Sequence, residues 1–197
     1  MKALAIALAC LACTGAATAD TNVALGGGVS LTGSGFWDGG SWGPGTPADP
    51  STITDGAYLP ISTQWNIGTV FWTGAVGADS ITITLNQAAS VNQLAIQADN
   101  DNDYRIQYRD TANVWHDLAV MSPNRSWGLD NGSTILGAPV VATAFMISGA
   151  AGTGDDHFAV SEFQAMGSLV PEPASYAMLG AGLALVGLVA RRRQRRS

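Results

Sequence analysis

Between residues 80 and 166 the chain repeatedly places an apolar side chain at every second position. Residues 80–85 (SITITL) set Ile81, Ile83 and Leu85 on one face, and residues 91–98 (VNQLAIQA) do the same with Leu94 and Ile96. Residues 104–108 (YRIQY) set Tyr104, Ile106 and Tyr108 opposite Arg105 and Gln107. A period of two belongs to a strand with one buried face, so the spacing predicts strands here and at 114–120, 139–148 and 158–166. Turn-rich segments at 99–103 and 150–156 lie between them. No long stretch carries a 3.6-residue apolar period. The pattern therefore predicts an all-β sandwich of short strands, without an internal repeat. Residues 33–50 (GSGFWDGGSWGPGTPADP) hold few aliphatic side chains and many Gly and Pro, which predicts a long loop.

The two ends break this pattern. Lys2, an apolar run over 3–11 and the small-residue end Ala17-Thr18-Ala19 have the parts of a secretory signal peptide, with cleavage expected before Asp20. Cys10 and Cys13 raise a lipoprotein signal as the alternative, but the third positions before them hold Ala7 and Cys10 where Leu is usual. Both cysteines fall in this segment, so the mature chain is expected to lack thiols and disulfides. At the other end, residues 174–190 are apolar and uncharged. As a helix they would span roughly 25 Å, near the roughly 30 Å hydrocarbon core of a bilayer. Arg191, Arg192, Arg193, Arg195 and Arg196 follow and predict a cytoplasmic C-terminus with the body outside the inner membrane. The chain divides into a signal peptide (1–19), a β-sandwich domain (20–168) and a tail (169–197) whose membrane helix covers about 174–190.

Charge follows the same division. Formal net charge is −6, Lys2 is the only lysine, and five of the eight arginines sit in the tail. The body keeps Arg105, Arg109 and Arg125 against many aspartates. Such a surface repels nucleic acid and attracts divalent cations.

In the tail, Pro171-Glu172-Pro173, a helix of spanning length and a basic terminus occur in that order. This resembles the PEP-CTERM sorting signal of Gram-negative bacteria, also described as an ice-binding protein C-terminal domain, over residues 170–197. The resemblance implies an exosortase-type transpeptidase as partner, with Pro171, Glu172 and Pro173 as its recognition motif and the arginines as a stop to transfer. It implies passage through the inner membrane, then the cell surface or extracellular matrix of biofilm-forming cells. A plain membrane anchor without processing is the alternative.

In the body, several pieces together resemble the discoidin, or factor V/VIII type C, family, which has a galactose-binding-like jelly-roll β-sandwich. They are Asn22-Val23-Ala24, Ile53-Thr54-Asp55-Gly56 followed by Trp65, Phe71-Trp72, residues 80–85, the strands either side of Asp99, and the closing stretch 160–167 (VSEFQAMG). The resemblance implies a structural Ca2+, with Asp55 and Glu162 at the matching ligand positions; carboxylates suit this hard cation. Here Ala57 stands where the family's usual Asp-Gly-Asn has its Asn. A second candidate cation site is the run Asp99, Asp101, Asp103. Tyr104 occupies the position where an EF-hand needs Gly, so the run is either a loop-type site or a solvated hairpin turn.

The sequence offers little for catalysis. His116 and His157 are the only histidines, no G-x-S-x-G elbow is present, and an acidic surface supplies carboxylate pairs by chance. No enzyme is expected. The six tryptophans point elsewhere, since indole faces stack on sugar rings. Trp65, Trp72 and Trp115 are expected in the core. Trp37 and Trp42 in the long loop, and Trp127 beside Arg125, are either core residues or ligand contacts. The expected function is a non-catalytic surface or matrix protein that binds carbohydrate, with exopolysaccharide as the ligand. The alternatives are a structural or adhesive protein without a sugar site, and an exported hydrolase.

Overall fold

The alternation seen at 80–85 and again at 91–98 belongs to one strand. A computed structural model describes residues 20–151, 154–171, 180–184, 186–187 and 191–192. In it β5 runs unbroken over Ser80–Asp99. The other strands are β1 (Thr21–Asn22), β2 (Gly28–Thr32), β3 (Thr46–Pro47), β4 (Ile67–Thr73), β6 (Tyr104–Arg109), β7 (Trp115–Met121), β8 (Leu129–Gly149) and β9 (His157–Leu169). Short 3-10 turns occupy Gly40–Trp42 and Pro50–Thr54. The strands form one sheet in the order β3-β4-β9-β5-β8-β6-β7, with β1 added to β9 and β2 to β5.

This single sheet becomes a sandwich because β5 and β8 bend together. Their register shifts between Thr84 and Ala89 and again between Val91 and Gln93, and extra residues of this kind bend a strand. Before the bend β5 pairs with β2 on its free edge; beyond it β5 pairs with β9. The two halves of the curled sheet thus face each other. Phe145 of β8 meets Phe163 of β9 across the gap, ring centroids 5.3 Å apart. Ile81, Ile83, Leu94, Ile96 and Ile106 fill the space around them and are fully buried. Trp72 stacks on Phe158 at 5.3 Å, and Tyr104 meets Phe158 edge-on. The Tyr104 hydroxyl donates to the Ala159 carbonyl (3.0 Å) and accepts from the Ala159 N–H (3.1 Å), which satisfies a buried polar group and ties β6 to β9.

Asn22 explains one of the sequence motifs. Its Oδ1 accepts from the N–H groups of Ala24 (3.1 Å) and Ala165 (3.2 Å), fixing the start of the body to β9.

The rim beyond the Asp99 end of β5 carries the long connections. The pairs Asp99↔Leu129, Tyr104↔Gly149, Ser80↔Ser148 and Thr73↔His157 bring the strand ends together there. Residues 99–103 therefore do not close a hairpin. They cross from one half of the sheet to the other, because β5 and β6 flank β8.

In the tail, 180–184, 186–187 and 191–192 are helical, and Leu183 (52%) and Val186 (68%) are exposed. No helix among the described residues is long and apolar enough to cross a membrane. The signal peptide, Glu172, Pro173, Arg193, Arg195, Arg196 and much of the expected membrane helix lie outside the described residues.

Candidate functional site

Two tryptophans read from loop sequence meet at one pocket on the rim. Trp42 ends the 3-10 turn at Gly40–Trp42, which is held by Asp38 Oδ1 accepting from the Gly40 N–H at 2.8 Å. Gly40 has φ +53 and lies against His157; a Cβ there would meet His157 Nε2 at 2.6 Å. The loop can approach this closely only with Gly at that position. His157 is held in turn by the Asp155 carbonyl, 2.7 Å from Nδ1, and its ring meets Trp65 at 5.3 Å.

Trp127 comes from the connection between β7 and β8. Asp130 braces that loop by accepting from the N–H groups of Arg125 (2.5 Å) and Asn131 (2.8 Å). Leu129 and Thr63 fasten its end through a backbone hydrogen bond of 2.9 Å. Gly128, at φ +66, packs against the Thr63 carbonyl, where a side chain would collide. The braced loop leaves Trp127 59% exposed, and Trp42 is 48% exposed.

Between them is a pocket of about 90 Å³ lined also by Trp65, Asp99, Asn100, Asp101, Gly128 and Asp155. Asp99 is buried, and its pKa is pushed up to about 8. Burial is the main cause, followed by the hydrogen bond and charge of Asp101, with Asp155 adding to the effect. Asn102 organises the turn beneath Asp99 and Asp101: its Nδ2 donates to Asp101 Oδ1 (2.9 Å) and to the His157 carbonyl (2.7 Å). Asp103 is not among the pocket's lining residues. No set of three or more His, Cys, Asp or Glu among the described residues is arranged to hold a metal.

Other residues singled out from sequence lie elsewhere. Trp37 sets its ring edge-on to Phe71 at 5.6 Å, with its backbone at φ +70, and does not line the pocket. Arg125 lines a separate polar groove of about 210 Å³ on the other side of the Trp127 loop, with Ser122, Asn124, Asn131, Ser133 and Thr134. Trp72 is core, whereas Trp115 is half-buried under the Arg109 guanidinium, 5.7 Å from the ring centroid. Trp65 is 4% exposed and is both core and pocket wall. Asp155, which sequence reasoning did not single out, joins the pocket; its sequence signal was the turn-forming Asp155-Asp156 before His157.

Glu162 is fully buried on β9. Its Oε1 accepts from Gln164 at 3.1 Å, while Oε2 has no partner among the described residues. Burial, and secondarily the charge of Asp55, push its pKa up to about 7. Asp55 itself accepts from the Ala57 N–H at 2.7 Å. The other histidine, His116, pairs with Asp110 (2.8 Å) and stacks on Tyr108 at 5.1 Å. Neither histidine bonds to a serine hydroxyl among the described residues.

Residues 169–194 match the model of the PEP-CTERM protein-sorting motif. No curated protein matches the chain by sequence. Among solved structures, the family 32 carbohydrate-binding module of NanJ from Clostridium perfringens, in complex with galactose, superposes with a TM-score of 0.50 at 17% identity, covering 75% of this chain and 98% of that one. A truncated AlyQ containing a family 32 module and an alginate lyase domain gives 0.51 at 17% identity, over 79% of this chain and 34% of that one. Identities this low speak to fold alone. The chain thus carries a PEP-CTERM sorting motif behind a β-sandwich with the galactose-binding-like fold of family 32 carbohydrate-binding modules.

Proposed function

We propose that this is an exported, non-catalytic surface protein whose body binds carbohydrate in the rim pocket between Trp42 and Trp127. One observation carries the reading: two half-exposed indoles, from loops far apart in sequence, flank a single pocket lined with hydrogen-bonding groups. Concave sites with aromatic walls and a few convergent polar groups are the usual form of small-ligand sites. An indole face covers the C–H face of a sugar ring, and carboxylate oxygens accept from its hydroxyls. The ligand is the exopolysaccharide of the producing cell. An exosortase-type transpeptidase processes the tail at Pro171-Glu172-Pro173 at the inner membrane.

Catalysis is the weaker reading of the same carboxylates. Neither histidine bonds to a serine hydroxyl among the described residues, so no nucleophile–base pair stands beside them. Ca2+ fits as a structural ion beside Glu162, whose unpartnered, buried Oε2 and neighbouring Asp55 supply two oxygen donors. The remaining oxygens of a six- to eight-fold shell would come from backbone and water.

The test is a glycan array and pull-down on purified matrix polysaccharide, with the wild type and the Trp42→Ala, Trp127→Ala double variant. Binding that the double variant loses supports the site. No saccharide bound in the presence of Ca2+ leaves a structural or adhesive protein. For the tail, mass spectrometry decides: an intact end at Ser197 in an exosortase-competent cell makes it a plain anchor.

A further inference from the structure

We infer that the end of the body bearing the tail is a membrane-contact face: the bends of β5 and β8 rest on lipid headgroups, and the rim pocket is held outward. The inference rests on the reading of the tail as a segment at the inner membrane, and adds where the body meets that membrane. Strand β9 ends at Leu169, and Val170 is still fastened to the body. Its N–H donates to the Ala88 carbonyl (2.8 Å), and its carbonyl accepts from Gln87 Nε2 (2.6 Å). Residues 171–173 alone separate this clamp from the uncharged apolar stretch 174–190. The chain from Val170 to Ala174 reaches at most about 14 Å. The headgroup layer fills roughly 5–7 Å of that reach. An inserted stretch therefore keeps the clamped end within about 9 Å of the headgroups.

The same end carries an apolar protrusion. Val91 pairs with Val140 and Gln93 with Ile135, so residues 136–139 (LGAP) bulge out opposite Asn92. Leu136 and Val140 pack on the core and pin the two ends of the bulge. Gly137, Ala138 and Pro139 between them are exposed, as are Ile135, Val141 and Leu169. The register sets Val141 beside Ser90 and Ser90 beside Ser168, so the bulge lies about 10 Å, or two strand spacings, from the end of β9. Apolar groups that stand in water here leave it at a lipid interface. Charge is distributed to match. Asp79, Asp99, Asp130 and Asp156 stand at or beside the strand ends of the rim, with Asp101 and Asp155 in the pocket. Two acids stand near the bend, and both are engaged: Asp20 accepts from Asn92 Nδ2 at 2.7 Å, and Asp110 pairs with His116 at 2.8 Å. An anionic lipid surface therefore repels the rim more than the bend. The length of β5 from Ala89 to Asp99 sets the pocket roughly 30 Å farther from the lipid.

The experiment is energy transfer to a headgroup acceptor in vesicles of phosphatidylethanolamine and phosphatidylglycerol that carry the full mature chain. A donor dye is placed on Gly137→Cys, where an added Cβ meets nothing within 4 Å, or on Asn124→Cys, exposed in the Trp127 loop. The expected result is a donor at 137 within about 10 Å of the headgroups and a donor at 124 roughly 30 Å farther out. The Ala138→Asp, Val141→Asp double variant, altered at exposed positions, should lose most of that difference. Val120→Asp, at an exposed apolar position on β7, should keep it. Equal distances for the two donors overturn the inference and leave the tail inserted. An unchanged difference in the double variant also overturns it, because the tether alone then orients the body. Transfer between dyes at 137 on different chains assigns the face to a second copy and overturns it too. If the chain does not float with the vesicles, the reading of the tail fails with it.

Discussion

Replacing Glu162 with Gln tests how this sandwich handles a buried charge. The carboxyl is fully covered, one of its oxygens is unpartnered, and its pKa stands at about 7. In the unfolded chain a Glu titrates at about 4.3. Between these two values the unfolded chain has released its proton while the folded one keeps it, so stability falls as pH rises from about 4.5 and levels off above about 7. At 1.36 kcal/mol per pKa unit the shift corresponds to roughly 3 kcal/mol, which solvent screening and relaxation around the ionised carboxylate reduce to about 1–2 kcal/mol. Gln matches the protonated form in shape. Glu162→Gln should leave the melting temperature unchanged at pH 4.5 and raise it by about 3–6 °C at pH 8 in chelator, given about 3 °C per kcal/mol for a domain of this size. Scanning fluorimetry across pH reads both. Adding Ca2+ at pH 8 should stabilise the wild type and not the variant. Coincident curves at pH 8 in chelator would refute the account of Glu162 as a charge destabilised by burial, and a wild-type curve unmoved by chelator would reject the ion.

Trp127→Ala should weaken saccharide binding without loss of fold. An indole of about 200 Å² that is 59% exposed offers roughly 120 Å² to a ligand, and a ring covering half of it contributes about 1.5 kcal/mol, or about tenfold in Kd by calorimetry. Trp37→Ala should leave that Kd unchanged, because its ring packs on Phe71 outside the pocket. Phe163→Ala opens a hole where the two halves of the sheet meet and should cost about 3–5 kcal/mol in urea unfolding. Asp99→Asn should raise stability above neutral pH and change little below about pH 4, since burial raises the pKa of this acid as it does that of Glu162.

The parts of the fold legible in sequence were those where one face of a strand is buried and the other is not. Ile81, Ile83, Leu94 and Ile96 were read correctly for that reason. Asn86 and Gln87 look like a break between two strands, but they lie at a register shift within one, because the bend in β5 is made without a turn. β4 was missed since Thr69, Val70, Phe71 and Trp72 are all buried and show no alternation. Trp37 and Trp65 cover the outward ring of Phe71, so both faces of that strand are dry. The first half of β8 hides for the opposite reason: Ile135 is 80% exposed, so its apolar residue faces solvent. At the site, Trp42 and Trp127 were legible from their loop context. Asp155 was not, because only the crossing of the β5–β6 and β8–β9 connections brings it to Asp99 and Asp101.

β9 has a mechanical consequence. At His157 it touches the pocket wall, and at Leu169 it leads into the tail, with Val170 still held by Ala88 and Gln87. Between those points it is flanked by β4 and β5. A pull between a captured ligand and a held tail therefore runs lengthwise along an interior strand. Its ladder of perpendicular hydrogen bonds is then loaded together in shear. Force spectroscopy should find this direction stiffer than one that peels β7 from the sheet edge, where the bonds open one at a time.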